Sequence, residues 1–218
     1  MGENKILIWK AQEGRSGGRW RDLPARYGNW NSFYHKFRQW CAVGLFKRLL
    51  NLFNDARNTL LEIDSTFCKV HQSACSGLKN QAIGSSRGGK NTKVHVLLNE
   101  RMQVLNVLLT DGQVHDADKA LVLFNGIDLA GQNLLADKAY SCDKIRSYLV
   151  ANSATVCIPD KVNFKIKHDF DAEFYKQRNL VERFFQRIKN YRHIAFRFDK
   201  LADCFLNFVL LASVAIHF

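Results

Sequence analysis

The sequence lacks the features that mark a zinc-binding, a secreted or a membrane-spanning protein. Its six cysteines form no CxxC pair, so a zinc site with the usual ligand spacing is not supported. The first ten residues lack a long apolar core, which indicates that they are not a secretory signal. The apolar run from Cys204 to Phe218 is shorter than the roughly 20 residues that span a bilayer. We therefore expect a buried terminal helix, buried thiols and a cytoplasmic protein with no membrane partner.

Acidic residues are scarce relative to basic ones. The chain has 32 Lys and Arg residues against 20 Asp and Glu residues, which gives a formal net charge of +12. This balance predicts an anionic partner, and nucleic acid is the leading candidate because basic side chains neutralise phosphates and release counterions. The alternative is a basic protein without such a partner, since charge informs about partners and not about the fold. The hydrophobic content of 47% permits a core and excludes a wholly disordered chain.

The N-terminal quarter divides into two segments. Residues 1–19 cluster glycines without hydrophobic periodicity, which predicts a poorly ordered segment. Residues 20–56 are rich in aromatic and basic side chains and predict a helical region. One helix is expected to start with Asn31 or Ser32 as its cap and to end near Ala42, and a second to run from beyond Gly44 to Asn54. This region either only packs on the main domain or also contacts DNA.

The remaining residues, 57–218, predict one domain in which strands precede alternating helices and strands. Strands are expected at 60–70, 94–98, 104–110, 133–136 and 155–158, and helices at 116–125, 141–151, 171–190 and 201–216. Ser141 is the expected cap of the second of these helices. Residues 71–92 predict a long polar connection. A meander followed by alternating units predicts an α/β fold with a mixed five-stranded sheet and helices on both faces.

Three acids of this domain are candidates for a metal site. Asp64 lies in the first strand, Asp137 follows the fourth strand, and Glu182 lies in the predicted helix 171–190. Mg²⁺ prefers carboxylate oxygens, and two ions about 4 Å apart can activate an attacking oxygen and stabilise a leaving one at a phosphodiester. If the two strands are neighbours, the three side chains can converge. The sequence therefore predicts a site for two Mg²⁺ or Mn²⁺ ions.

Each acid also has a structural interpretation. Asp64 can be solvated together with Glu62, Asp137 can cap a turn or pair with its neighbouring lysine, and Glu182 can pair with Arg178 alone. Asp111, Asp116 and Asp118 are rival acids after the third strand.

Basic and aromatic residues accompany the candidate acids. Tyr175, Arg178, Glu182 and Lys189 are spaced so that one helix would carry them on a single stripe. The segment from Arg87 to Lys93 combines glycines with cations and can approach a phosphate closely, although it does not match a P-loop and so does not indicate nucleotide hydrolysis. Its alternative is a solvated loop.

These motifs resemble bacterial insertion-sequence transposases of the DDE type. The spacing Tyr175-x2-Arg178-x3-Glu182-x6-Lys189 matches the family's signature around its third acid, and the segments 60–66 and 134–140 resemble those around the first two. The segments 86–95, 112–116 and 20–30 are also family-like. The resemblance covers about residues 20–218. It implies a ribonuclease H-like sheet flanked by helices, with the DDE catalytic domain at 57–218.

The resemblance also implies an activity and its residues. The expected function is metal-dependent cleavage and strand transfer of an insertion sequence, with Asp64, Asp137 and Glu182 as catalytic metal ligands. The expected partners are the double-stranded DNA of the element ends and of the target, bound by a homo-oligomer at the nucleoid. The expected DNA contacts are Tyr175, Arg178, Lys189, Arg87, Lys90 and Lys93.

The family usually has further helices before the Trp20 motif, so we expect an N-terminally shortened copy. Two alternatives stay open: a non-catalytic DNA-binding remnant of a transposase, and a ribonuclease H-like nuclease without strand transfer.

Overall fold

The computed structural model describes residues 20–53, 58–75, 77–161, 164, 168–176 and 178–216. The described residues form a mixed sheet of seven strands with helices on both faces. This confirms the predicted fold class, and two short strands extend the five that were expected. The predicted disorder of residues 1–19 and the end of the helical region at 54–56 lie outside the described residues, so the predicted domain boundaries stay predictions.

The N-terminal helical region begins with two short 3-10 turns at Trp20–Asp22 and Ala25–Tyr27. Helix α1 then spans Trp30–Ala42 and α2 spans Leu45–Phe53. The cap prediction was wrong by two or three positions, because the side chain of Asn29 accepts the backbone N–H of Asn31. Gly44 separates the helices at φ 64°, a left-handed conformation that glycine adopts without steric cost.

The long first strand is the centre of the sheet. The strands are β1 Leu60–Val70, β2 Gly84–Ser86, β3 Gly89–Asn99, β4 Val104–Asp111, β5 Asn133–Ala136, β6 Thr155–Cys157 and β7 Phe196–Arg197. Strand β1 pairs antiparallel with β3 on one side and parallel with β5 and β7 on the other. Strands β2 and β4 both pair with β3, and β6 pairs with β5.

The predicted polar connection at 71–92 was too long. It contains β2, and β3 begins at Gly89 rather than at Val94. Cross-strand side chains provide the missing stabilisation, since the amide of Asn91 donates to the hydroxyl of Ser86 at 2.6 Å. A polar strand of this kind carries no alternation of apolar and polar residues, so hydrophobic periodicity could not reveal it.

The helices of the main domain are α3 Asp116–Leu123, α4 Asp143–Ala151, α5 Ala172–Tyr175, α6 Leu180–Lys189, α7 Arg192–Ala195 and α8 Ala202–Ala215. The predicted continuous helix at 171–190 was wrong, because the chain leaves helical geometry between α5 and α6. Ser141 was also wrong as a cap: Cys142 holds the cap position of α4, and the hydroxyl of Ser141 accepts a hydrogen bond from Arg146 at 3.2 Å.

Side chains alternate between two cores across the sheet. One core joins Val94 and Val96 of β3 to α6, α8 and the two N-terminal helices, through residues such as Phe37 and Phe208. The other joins Leu61 and Ile63 of β1 to α3 and α4, together with the loops that flank these helices. The helical region therefore packs on the main domain. The apolar terminal run forms α8, which lies in the first core as expected.

No helix among the described residues is long and apolar enough to cross a bilayer. The cysteines are free thiols, and four of them, Cys41, Cys68, Cys157 and Cys204, are buried.

Candidate active site

Asp64 and Asp137 lie side by side because of the strand register. Strand β1 runs parallel to β5, and Ile63 pairs with Ala136, which makes the next residues, Asp64 and Asp137, neighbours. Asp137 keeps an extended backbone at φ −69° and ψ 161°, so its side chain continues the alternation of β5. Parallel strands lie about 4.8 Å apart. The condition for convergence of the two side chains, that their strands be neighbours, is therefore met.

Helix α6 lies along the same face of β1 and is anchored at both ends. Glu62 accepts the backbone N–H of Val181 at 3.2 Å, and Thr66 accepts a hydrogen bond from Nζ of Lys189 at 2.6 Å. Eight helical steps between Val181 and Lys189 span about 12 Å. Four strand steps between Glu62 and Thr66 span about 13 Å. The matching lengths place Asp64 under the helix, between the two anchors.

The buried carboxylate of Glu62 also explains the break between α5 and α6. A carboxylate that accepts a backbone N–H in the first turn stabilises a helix start and complements the helix dipole. Because this acceptor comes from β1, α6 begins where the strand requires it and does not continue α5. The alternative interpretation, in which Glu62 and Asp64 share a solvated face, does not hold for Glu62, which is fully buried.

Arg178 connects the remaining acids. Its Nη1 atom lies 3.7 Å from Oδ1 of Asp137, and its Nη2 atom lies 3.4 Å from Oε1 of Glu182. Its positive charge also opposes the rise in the pKa of Asp64 that burial causes. One guanidinium thus contacts two of the three candidate acids.

Burial disfavours the charged form of Asp64. It raises the pKa of this carboxyl to about 6, and the nearby carboxylates of Asp116 and Asp137 add to the rise. The backbone N–H of Ser65, which donates to Asp64 at 2.7 Å, opposes the shift together with Arg178. A cation placed at Asp64 would therefore relieve an unfavourable burial of negative charge.

The donor set suits a hard divalent cation, since it consists of carboxylate oxygens. The carboxyl groups are nevertheless not drawn together to coordination distance. Within the described ranges, no group of three or more His, Cys, Asp and Glu side chains is arranged to hold a metal ion. The Arg178 guanidinium instead links Asp137 to Glu182, whose side chain is 57% exposed. The candidate residues have the right chemistry for the ions and lie on one face of the sheet. Their carboxyl groups must move closer together to bind the ions.

Comparison with known proteins identifies the family. The model of the family described as "Transposase DDE domain" matches residues 55–216, and that of the "Putative transposase of IS4/5 family" matches residues 11–50. The chain belongs to the DDE transposase family. Membership implies dependence on divalent metal ions in general, and DNA as the macromolecule on which the family acts.

Two relatives are similar to parts of the chain. A Brucella ovis protein named "Putative transposase for insertion sequence element IS6501" is 32% identical over 126 residues, which are 57% of this chain and 96% of that protein. An uncharacterized protein of Sinorhizobium fredii is 34% identical over 91 residues, which are 41% of this chain and 66% of that protein. No solved structure matches.

Tyr175 and Lys189, the other members of the DDE signature spacing, lie on either side of the acids. The Tyr175 ring contacts the guanidinium of Arg178, with 5.6 Å between the ring centroid and Cζ. Lys189 is half-buried at the far end of α6. Because the helix is broken, the signature residues do not form one helical stripe, yet Arg178 still reaches Glu182 across the break.

The predicted cationic loop divides into exposed and buried members. Arg87 lies in the turn between β2 and β3 and is exposed, and Nζ of Lys90 donates to the hydroxyl of Ser85 at 2.6 Å. Lys93 is buried: it donates to the carbonyl of Val114 and pairs with Asp116 at 3.1 Å. The solvated-loop interpretation was therefore wrong for Lys93, which lies inside the sheet.

The rival acid Asp116 lies on the opposite face of β1. Its Oδ1 atom accepts the hydroxyl of Ser65 at 2.6 Å and lies 3.6 Å from Nδ1 of His95. This network was missed because Ser65 and His95 carry no periodic signal. Asp116 begins α3, at the predicted start of this helix. Asp116 therefore contacts β1 on the face opposite to α6, whereas Asp64 lies on the α6 face.

Proposed function

We propose that this chain cuts and joins DNA at the ends of an insertion sequence, with Asp64, Asp137 and Glu182 as ligands of two Mg²⁺ or Mn²⁺ ions. The observation that carries the proposal is the position of Asp64 between the two anchors of α6, with Asp137 next to it and Arg178 against the other two acids. The bound ions would activate the attacking oxygen and stabilise the leaving one.

The chain's own residues would orient the acids and the DNA. Arg178 holds Glu182 and Asp137 in place while the ions are absent. With Asp137 and Glu182 engaged by bound ions, its guanidinium would be available to a phosphate, which it can bind in a planar, two-pronged geometry. Lys189 adds a second positive charge along α6. Tyr175 keeps the Arg178 side chain in one orientation.

Exposed cations farther along the sheet would bind the DNA backbone. Arg87 and Lys90 lie on the β2–β3 hairpin, next to the end of β1 that extends past β5. We propose backbone contacts for both residues, and no DNA contact for the buried Lys93. Double-stranded element ends and target DNA would be the substrates, bound at the nucleoid by a homo-oligomer that holds two ends together.

Incubation of the purified protein with supercoiled plasmid and Mn²⁺ tests this proposal. We expect nicking by the wild type, and a loss of at least about a hundredfold in Asp64→Asn with unchanged binding of duplex DNA. Asp118→Asn is the matched control, because this exposed acid of α3 lies outside the site. Undiminished nicking by Asp64→Asn would show that Asp64 is not a metal ligand required for cleavage.

Product analysis separates the alternatives. Joined DNA strands support a transposase, whereas cuts without joining identify a nuclease. Salt-sensitive DNA binding with no cuts at all identifies a non-catalytic remnant.

A further inference from the structure

A polar cluster lies against β1 on the face of the sheet opposite to α6. Three side chains of this cluster converge on one oxygen, Oδ1 of Asp116, the first residue of α3. The hydroxyl of Ser65 donates to this oxygen at 2.6 Å, Nζ of Lys93 lies 3.1 Å from it, and Nδ1 of His95 lies 3.6 Å from it. Ser65 and His95 are cross-strand partners of β1 and β3. The start of α3 is therefore held against both strands.

The cluster contains one ion pair. Lys93 is buried and donates to the carbonyl of Val114 at 2.8 Å as well as pairing with Asp116. Burial lowers the pKa of His95 to about 4, so that its ring is neutral near pH 7 and adds no charge. A buried ion pair seldom adds net stability over an apolar pair of the same size. Stability of the fold therefore does not by itself explain why these charges lie here.

Ser65 connects this cluster to the candidate active site. Its hydroxyl donates to Asp116, whereas its backbone N–H donates to Oδ1 of Asp64 at 2.7 Å. Strand alternation places the two carboxylates on opposite faces of the sheet, and Ser65 contacts both of them. The bond to Asp116 restrains Ser65 within β1. It thereby restrains the direction of the N–H that the Asp64 carboxylate accepts.

Helix α3 also contacts the segment that follows the second candidate acid. This segment is the turn Lys138–Tyr140, which begins directly after Asp137. Tyr140 is buried, and the charges of Asp116 and Asp64 add to the rise in its pKa that burial causes. The start of α3 therefore lies close to the residues that follow both strand acids.

We propose that Asp116 and Ser65 are positioning residues for the metal ligand Asp64. Asp116 holds the Ser65 hydroxyl on one face of the sheet, and the Ser65 N–H holds the Asp64 carboxylate on the other. A carboxylate that is already held in one orientation binds a divalent ion more tightly than one that must be ordered on binding. This inference rests on the proposed function, because it takes Asp64 as a ligand of Mg²⁺ or Mn²⁺.

Binding of Mn²⁺ to the full-length protein without DNA tests the inference independently of cleavage. Electron paramagnetic resonance of the free ion measures the affinity. Ser65→Ala should weaken Mn²⁺ binding roughly 10- to 100-fold, as the loss of groups that orient metal ligands does. Asp116→Ala should weaken it to a similar extent, and the double variant no further, because the two side chains act through one bond. Ser65→Thr retains the hydroxyl and should bind Mn²⁺ as the wild type does.

Two variants are matched controls, and both should keep the wild-type affinity for Mn²⁺. Asp118→Ala removes the same charge from an exposed position in the first turn of α3, and Ser213→Ala removes a buried hydroxyl of α8. Thermal unfolding of each variant verifies the fold. Asp116→Ala leaves the buried Lys93 without its ion-pair partner and can be unstable for that reason. Ser65→Ala keeps the ion pair and carries the test in that case.

The outcomes separate this inference from the proposed function. Unchanged Mn²⁺ affinity in Ser65→Ala overturns the inference, and so do equal losses in Ser65→Ala and Ser213→Ala, which would show a general effect of packing. A wild type that nicks plasmid with a dependence on Mn²⁺ concentration that Ser65→Ala does not shift refutes the positioning role alone. A wild type that neither binds Mn²⁺ nor nicks plasmid refutes the proposed function.

Discussion

Glu62 of β1 accepts the backbone N–H of Val181, at the start of α6, across 119 positions of sequence. Burial raises the pKa of this carboxyl to about 7, against which the N–H groups of Val181 and Leu180 and the charge of Arg178 act. The contact ties the helix that carries Glu182 to the strand that carries Asp64. The relative position of two candidate metal ligands thus depends on a third acid that we do not expect to bind metal.

Two replacements of Glu62 distinguish the contribution of helix capping to stability from that of the carboxylate charge. Glu62→Ala should lower the free energy of unfolding by about 1–2 kcal/mol, because the first turn of α6 loses its acceptor. Glu62→Gln keeps an acceptor oxygen and should cost less. Denaturant unfolding monitored by circular dichroism measures both. Equal losses in the two variants would mean that capping does not explain the burial of Glu62.

Arg178 should matter to catalysis more than to stability. We expect Arg178→Ala to lower the nicking rate about tenfold or more, which corresponds to about 1.4 kcal/mol, since Asp137 and Glu182 lose the cation between them. Arg187→Ala removes the same charge from an exposed position of α6 and serves as the control. Nicking rates with saturating Mn²⁺ give the comparison. If both variants lose activity equally, the total charge of α6 and not the position of Arg178 is responsible.

Lys189 can act on the DNA or on the helix anchor, and salt dependence distinguishes the two. If Lys189 neutralises a phosphate, Lys189→Met reduces the slope of log affinity against log salt for duplex DNA by about 0.9. Thr66→Val leaves the lysine charge but removes its oxygen partner, so that its slope should equal that of the wild type. Fluorescence anisotropy between about 50 and 200 mM salt measures the slopes. A slope lowered by Thr66→Val alone would contradict the assignment.

The buried His95 should lower the free energy of unfolding in mild acid. Burial lowers its pKa from 6.5 to about 4, so between these values the unfolded chain binds a proton that the folded chain does not. Stability is therefore fully present above pH 6.5 and falls as the pH decreases towards 4, by on the order of 3 kcal/mol. The free energy of unfolding should thus fall less in His95→Gln than in the wild type between pH 7 and pH 4.5. Equal decreases would show that His95 is not the group responsible.

Elements with a hydrophobic pattern could be predicted from the sequence. The apolar runs of β5 and α8 and the glycine between α1 and α2 all lie where the sequence places them. Elements held by polar contacts could not. The hairpin of β2 and β3 depends on Asn91 and Ser86, and the start of α6 depends on Glu62, each through a bond between side chains or backbone groups that no local pattern records.

The sequence alone determined the residue types of the candidate site, the basic charge of the chain, and the strands to which Asp64 and Asp137 belong. Periodicity and composition are properties of the local chain. The tertiary structure decided the rest. Strand register made Asp64 and Asp137 neighbours, and the two anchors set α6 above Asp64. It also buried Lys93 and left Phe67 exposed. These outcomes depend on which distant groups satisfy one another's hydrogen bonds and cover one another's surface, and only the packed chain brings those groups together.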